Sequence, residues 1–197
     1  MYSKYEEMRV MRQVMQNYAD NLKREYELAI ASLREKTGKL DINSELGSLQ
    51  RDVGSLSVIQ TDYQSALAIV SEFNKAIMCY EQAYTSEQLQ PGGIAEERAK
   101  EGNRIFYDIR TQNPEYKRIM DEMAYELFKS HDDHIDGLGL DFDAKEESLR
   151  KDFEAGKLNK EQLIYYTNMC WTLTQNPQYV EYMNQFQQEQ APQGIHR

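Results

Sequence analysis

Apolar residues recur every three or four positions through the first part of the chain. From Tyr5 to Leu33 this spacing places them on one face of a long helix, and Thr37-Gly38 supplies a stop. That face consists of Met8, Met11, Met15, Tyr18, Leu22, Tyr26, Ala29 and Leu33.

A second apolar series follows with alternating steps of four and three residues, which is a heptad pattern. Its members are Ile42, Leu46, Leu49, Val53, Leu56, Gln60, Tyr63, Leu67, Val70, Asn74 and Ile77. The short connection around TGKLD favours an antiparallel return onto the first helix, so residues 1–89 are predicted to form a coiled-coil-like helical hairpin. Gln60 and Asn74 either fix the register of the seam or lie at its solvent edge, and we favour the edge.

Glycine and proline punctuate this pattern. QPGG at 90–93 predicts the domain boundary, because Pro and two Gly together end a helix and let the chain turn. Gly47 and Gly54 lie seven residues apart within the second predicted helix. They indicate either close approach of another helix or local fraying, with equal weight.

Residues 94–190 contain shorter amphipathic stretches that predict a small helical bundle, and residues 191–197 predict a disordered tail. Asp143, with Glu146 three residues later, is expected to cap one of these helices. Asn159 with Gln162 predicts a second capping box, flanked by Leu158 and Leu163 in the positions of a hydrophobic staple. No alternating Val/Ile/Thr-rich run is found, so the predicted fold class is all-α.

The tetrapeptide TQNP occurs at 111–114 and again at 174–177. Asn is a favoured N-cap, and Pro at the first helical position has a preset φ and loses no hydrogen bond. Each copy is therefore predicted to be a helix–corner–helix. The apolar residues after the two copies match by offset, which predicts that both following helices pack into a common core; the matched pairs are Tyr116 with Tyr179, Ile119 with Tyr182, Met120 with Met183 and Met123 with Phe186.

Charge and composition narrow the classes of function. The chain has 197 residues and a formal net charge of −10, and it has no basic run, which argues against direct nucleic-acid binding. Neither a membrane-length apolar stretch nor a signal-peptide core is found, so we expect no membrane insertion and a cytoplasmic location. Cys79 and Cys170 lie on apolar faces without metal or redox spacing and are expected to be buried thiols.

The segment SHDDHIDGLGLDFD at 130–143 is the main chemical candidate. Counted from Asp132, it places His134, Asp136, Gly137 and Asp143 at EF-hand positions 3, 5, 6 and 12. Imidazole is a poor Ca²⁺ ligand and the last position lacks the usual Glu, so a solvated acidic connector is the preferred interpretation. A transition-metal site formed by His131, His134 and Asp136 is the other alternative.

Common catalytic motifs do not occur in the chain. GxSxG, GxxxxGK[ST] and HExxH are all missing, and neither Cys has a His within a local motif. We therefore predict a protein that is not an enzyme, with no catalytic residue, no cofactor-binding residue, no cofactor and no metal ligand.

Residues from about 95 to 190 resemble the YlbF/YmcA/YheA family of small helical regulators. The resemblance rests on AKEGNRIFYDIRTQNPEYKRIMDEMAYEL and on DFEAGKLNKEQLIYYTNMCWTLTQNPQYVEYMNQFQQE. It implies a non-enzymatic adaptor of competence, sporulation, biofilm or mRNA-processing regulation that assembles with protein partners. The chain departs from the family in its N-terminal hairpin and in lacking a Cys-bearing C-terminal tail.

The first functional hypothesis is therefore a cytosolic interaction protein that binds itself or other proteins through apolar helix faces. A structural or chaperone-like component of a phage or secretion apparatus would also suit the long hairpin. The third hypothesis is a calcium- or metal-responsive switch in the 132–143 loop.

Overall fold

The computed structural model describes residues 2–38, 46–89, 93–135 and 140–190, and within these ranges the chain is helical and has no strand. The seven helices of these ranges are α1 (Lys4–Thr37), α2 (Leu46–Leu89), α3 (Ile94–Gln112), α4 (Pro114–Lys129), α5 (Phe142–Glu154), α6 (Lys160–Gln175) and α7 (Pro177–Gln190). The all-α prediction is confirmed. The predicted tail at 191–197 lies outside the described residues.

Helices α1 and α2 pack as the predicted antiparallel hairpin. At one end, Lys36 Nζ lies 2.8 Å from Asp52 Oδ2. At the other, the Tyr5 hydroxyl donates a hydrogen bond of 3.0 Å to Glu81. The start of α1 is fixed by Ser3, whose side chain accepts from the Glu6 N–H while the Glu6 carboxylate accepts from the Ser3 N–H.

The buried side chains of the hairpin all lie in the half away from its turn. On α1 the buried apolar residues are Met8, Met11, Met15, Ala19 and Leu22, and on α2 they are Ala66, Ile69, Val70, Phe73, Ala76 and Ala83. Helix α3 covers this half, with the Phe106 ring centroid 5.9 Å from that of Phe73. We call residues 23–37 and 46–65, the half near the turn, the distal arm.

Helix α3 approaches α2 most closely at Gly102. A Cβ added there would lie 2.7 Å from Cδ2 of Tyr80 and 2.9 Å from the carbonyl oxygen of Ala76. Gly47 and Gly54, where the sequence suggested such an approach, have no neighbouring atom of the described residues within 4 Å. The glycine that admits a second helix is therefore in α3.

Residues 3–116 form one compact unit, and the described residues from Lys117 onward belong to a second. This division falls later in the chain than the domain boundary predicted at 90–93. The difference arises because α3 packs along α2 and so belongs with the hairpin. The segment 94–190, which resembles the YlbF-type unit, is divided between the two compact units.

In the second unit, α6 packs against both α5 and α7. The capping box at its start is confirmed: the Asn159 side chain accepts from the Gln162 N–H at 2.8 Å, and the Gln162 side chain accepts from the Asn159 N–H at 2.9 Å. Leu158 and Leu163 are both buried, as a staple requires. The predicted cap of α5 is wrong by two residues, because Asp141, not Asp143, accepts from the Ala144 N–H.

The two TQNP corners are confirmed. The Asn113 side chain accepts from the Tyr116 N–H at 3.0 Å, and the Asn176 side chain accepts from the Gln178 N–H at 2.9 Å. Both Asn residues are extended, with φ/ψ of −81°/110° and −84°/115°. The Tyr after each corner is buried, and each contacts a Phe: Tyr116 lies against Phe73 and Tyr179 against Phe128.

The apolar match after the corners extends in part, because Met120 is buried and Met183 is half-buried. Ile119 is fully buried, whereas Tyr182, the residue at the same offset, is 51% exposed. The side chain of Phe186 lies outside the described side chains.

Tyr116 is the last residue of the first unit, but α4 from Lys117 onward and α7 share the second unit. In that unit, Phe128 of α4 contacts Tyr179 and Tyr182 of α7. The predicted packing of the two helices against each other is therefore confirmed for α4 from Lys117 onward.

Candidate functional site

The predicted heptad stripe of α2 straddles the edge of the hairpin interface instead of filling it. Its members alternate: Leu49, Leu56, Tyr63, Val70 and Ile77 are buried or half-buried, whereas Val53, Gln60, Leu67 and Asn74 are exposed. The prediction that the whole stripe forms the seam is therefore wrong. In the covered half, the seam lies one position earlier, at Ala66, Ile69, Phe73 and Ala76, because this half of α2 packs against α3 as well as α1.

The solvent-edge interpretation of the two polar members is confirmed. Gln60 and Asn74 are both exposed. Asn74 accepts a hydrogen bond of 2.9 Å from Nε of Arg12, across the edge of the hairpin. We call Val53, Gln60 and Leu67 the outer row; they lie seven residues apart and so share one side of α2.

A groove of about 700 Å³ runs along this side of the distal arm. Its apolar surface comes from Tyr26 and Ile30 of α1 and from Tyr63 and Leu67 of α2. Its polar side chains are Lys23, Glu27, Arg34, Gln60 and Gln64. The groove is thus an apolar channel with charges of both signs, a surface of the kind that receives an amphipathic helix.

The distal arm leaves its apolar residues in contact with water. No residue of the arm whose exposure is described is buried. Val53 is 55% exposed and Leu67, at its border, is 37% exposed. An exposed apolar surface with a polar rim is typical of a protein-binding site.

The arm is also electrically neutral within an acidic chain. Its five basic and five acidic side chains are Lys23, Arg24, Arg34, Lys36 and Arg51 against Glu25, Glu27, Glu35, Asp52 and Asp62. The whole chain carries a formal net charge of −10. The excess negative charge therefore lies elsewhere.

The loop that the sequence singled out is held to α6 by Asp132. One carboxylate oxygen of Asp132 accepts from the His134 N–H at 2.9 Å, and the other accepts from the Tyr166 hydroxyl at 3.1 Å. The His134 ring lies against Tyr166, with centroids 4.7 Å apart, and its Nδ1 is 3.7 Å from Oδ2 of Asp152. Ile135 next to this cluster is buried and anchors the loop.

Burial, and then the nearby Asp132 carboxylate, raises the pKa of Tyr166 to about 12. A hydrogen bond from Lys157 lowers the pKa of Asp152. Tyr166 is therefore a neutral hydrogen-bond donor at physiological pH, and the cluster fastens the loop.

The EF-hand ligands are only partly described. Asp136 and Gly137 lie outside the described residues, and Asp143 lies exposed in the first turn of α5. Both oxygens of Asp132 already accept hydrogen bonds from the protein. Among the residues that the structure describes, no group of three or more His, Cys, Asp or Glu side chains is placed to hold a metal ion.

The two cysteines differ in burial. Cys170 is buried, as expected, and burial raises the pKa of its thiol to about 12. Cys79 is only half-buried. Cys170 is thus a neutral thiol in the apolar interior of the second unit.

A buried ion pair not expected from the sequence joins α1 to α3. The Glu7 carboxylate is buried and lies 3.1 Å from Nη1 of Arg110 and 2.8 Å from Nζ of Lys4. The Lys4 and Arg110 cations also lie over the Phe106 ring, at 5.7 Å and 5.6 Å from its centroid, respectively. The sequence signal is faint, because Glu7 differs from the many surface carboxylates only in preceding Met8 on the apolar face.

Comparisons of the chain with models of protein families, with curated proteins and with solved structures found no match. Within the described ranges, none of the helices combines the length and apolarity needed to cross a bilayer. The distal arm is therefore the candidate functional site of this chain.

Proposed function

We propose that this chain is a non-enzymatic, cytosolic adaptor that binds protein partners through the groove of its distal arm. The observation that carries the proposal is the contrast between the two halves of the hairpin. The half covered by α3 has a buried core, whereas the distal arm has exposed apolar residues along a groove. Burying such residues against a partner removes apolar surface from water, at roughly 25 cal/mol per Å².

The chemistry of the groove favours a helical protein segment over a small polar ligand. Tyr26, Ile30, Tyr63 and Leu67 offer apolar and aromatic contacts spaced along two helices. A partner helix with apolar residues every three or four positions would match that spacing. The charged rim then orients the partner.

The resemblance to the YlbF/YmcA/YheA regulators supports the same class of function. The restart at Asn159 and the Asn-Pro corner at Asn176, on which the resemblance rests, form the α5–α6–α7 part of the second unit. A regulatory adaptor of the competence, sporulation, biofilm or mRNA-processing type is the role we propose for this chain. In this proposal the distal arm is the feature that the chain adds to the family pattern.

The test compares three tagged versions of the full chain, expressed in the source cells and cross-linked before capture. They are the wild type, Val53→Glu/Leu67→Glu on the groove side, and Val58→Glu as a control. Val58 is 61% exposed and lies nearly opposite the groove on α2, at 100° per residue. Proteins other than the chain itself should be enriched with the wild type and the control and lost with the double variant. Recovery of the same set with all three versions would contradict an adaptor that works through the groove.

A further inference from the structure

We infer that a second copy of this chain occupies the groove, and that two distal arms pack antiparallel about a two-fold axis near Gln60. The inference rests on the proposed function, in that it names the occupant of the same surface. It makes the arm the dimerisation element of the protein.

The outer row is symmetric about its polar member. Val53 and Leu67 lie seven residues on either side of Gln60, and all three are exposed. An antiparallel pairing centred on Gln60 sets Val53 of one copy against Leu67 of the other, twice. A two-fold interface requires such a self-complementary surface.

Gln60 would then lie against Gln60 of the second copy. A carboxamide both donates and accepts hydrogen bonds, so two such groups can satisfy each other. A polar residue within an apolar seam fixes the register of the pairing. Gln60 thus interrupts the apolar heptad within one hairpin, but it can form hydrogen bonds in a contact between two hairpins.

The charges along the groove are compatible with the same inversion. In the antiparallel hairpin, Lys36 lies beside Asp52 and Arg12 lies beside Asn74. The register that these two contacts define places Glu27 of α1 at about the level of Gln60 of α2. Lys23 lies one turn away from Glu27 on α1. Inversion about this level sets the two Glu27 side chains opposite each other. Lys23 of each copy then lies one helical turn from Glu27 of the other, where its positive charge offsets their repulsion.

Because the distal arm is electrically neutral, it is a more favourable place for two copies to meet than the rest of the acidic surface. Two chains of formal charge −10 repel one another. The distal arm, with five charges of each sign, adds nothing to that repulsion. A second copy can meet the first there at the smallest electrostatic cost.

The size of the arm predicts a dimer of moderate affinity. Its α1 portion of 15 residues is about 22 Å long, and two adjacent helices present a face about 20 Å wide. Two such faces bury about 900 Å² in projection, which is below the roughly 1,200–2,000 Å² of stable specific interfaces and in the range of reversible, transient contacts. We therefore expect dissociation in the micromolar range.

Sedimentation velocity of the purified full chain over concentrations from about 1 to 200 μM tests the inference. The wild type and Val58→Glu should show a monomer–dimer equilibrium, and Val53→Glu/Leu67→Glu should dissociate at least about tenfold more readily. All the substituted positions are exposed, and far-ultraviolet circular dichroism checks that the helices persist. A wild type that stays monomeric throughout, or a double variant that dimerises like the wild type, would overturn the inference.

Disulfide trapping tests the orientation, in a Cys79→Ser background. A mixture of the Val53→Cys and Leu67→Cys chains should give a 53–67 disulfide on mild oxidation, and Gln60→Cys alone should give a 60–60 disulfide. Val58→Cys should stay monomeric. A 53–53 disulfide formed as readily as the 53–67 one would overturn the antiparallel arrangement.

These results separate the inference from the adaptor proposal. A monomeric purified chain that still captures another protein through the groove overturns self-association and leaves the adaptor in place. A dimer lost on groove substitution, with no other protein captured, supports self-association and contradicts the adaptor.

Discussion

Gly102 sets the distance between α3 and α2. Because the position carries no side chain, the α3 backbone lies against the Tyr80 ring and the Ala76 carbonyl. The same approach lets Phe106 reach Phe73 and lets Arg110 reach Glu7. One small residue therefore supports both the aromatic core and the buried ion pair of the first unit.

Gly102→Ala should destabilise the protein by about 1–3 kcal/mol, because the new methyl group overpacks the contact between α2 and α3. Gly54→Ala is the matched control in an open helical position and should stabilise by up to about 1 kcal/mol, since alanine favours the helix. Urea unfolding followed by circular dichroism measures both. Equal effects of the two substitutions would mean that α3 does not pack closely at Gly102.

At the scale of elements, the two Asn-Pro corners share a backbone but differ in surroundings. Asn113 caps α4 on a partly exposed surface. Asn176 is buried, and its side chain also hydrogen-bonds Asp121, whose pKa is raised chiefly by burial. The second corner therefore uses the amide donor as well as the carbonyl oxygen of its Asn.

Asn113→Asp should change the free energy of unfolding by less than about 0.5 kcal/mol, because Asp and Asn cap helices equally well. Asn176→Asp should cost about 1–2 kcal/mol at pH 7, since it removes the donor and places a carboxylate beside Asp121. Its effect should shrink below about pH 4, where carboxyl groups are protonated. Urea unfolding at pH 7 and pH 4 checks this, and equal costs at both corners would contradict it.

Local signals were sufficient to predict the caps and corners, since each depends on a few neighbouring residues. Asn159 with Gln162 and both Asn-Pro pairs were found in this way. The cap of α5 was misplaced because Asp141 and Asp143 are equally good caps by sequence. The buried face of α2 could not be predicted from neighbouring residues, because the position of α3 decides which side of α2 is buried.

The same limit applies to the candidate site. The heptad spacing singled out Val53, Gln60 and Leu67, but as part of the hairpin interior. Only the structure shows that all three are exposed and that Gln60 and Leu67 line a groove. The neutral charge of the arm could have been counted from the sequence once its boundaries were known.

Hydrogen exchange should distinguish the two halves of the hairpin. Amides of the distal arm should exchange faster than those of the covered half in dilute protein, because none of the arm's side chains whose exposure is described is buried. Protection of the arm should rise with protein concentration as dimers form. Mass-spectrometric exchange at two concentrations measures this, with the covered half as the internal reference; concentration-independent exchange of the arm would contradict it.

For the whole molecule, burial of acidic hydroxyl and thiol groups limits alkaline stability. Burial raises the pKa of Tyr116, and it raises those of Tyr166 and Cys170 to about 12. In the unfolded chain these groups ionise near 10 for Tyr and near 9 for Cys. Above those values the unfolded chain has lost protons that the folded chain retains, so stability falls as pH rises.

The free energy of unfolding should therefore decrease from about pH 9 upward, by up to about 1.4 kcal/mol per pH unit for each such group. Tyr116→Phe should make the decrease shallower, because the buried hydroxyl is gone. Tyr107→Phe is the control, since its hydroxyl is on an exposed side chain and meets water in both states. Unfolding midpoints between pH 8 and pH 10.5 test this; identical slopes for all three proteins would refute it.

The buried residues of α1 lie far from the hairpin turn, and this position affects the chain while it is being synthesised. The buried residues of α1 all lie within its stretch from Glu7 to Leu22, and their cover lies at residues 66–83 and in α3. A nascent chain therefore carries an uncovered row of methionines until residues 66–83 and α3 have also left the ribosome. Over that interval, the apolar face of α1 is exposed to water.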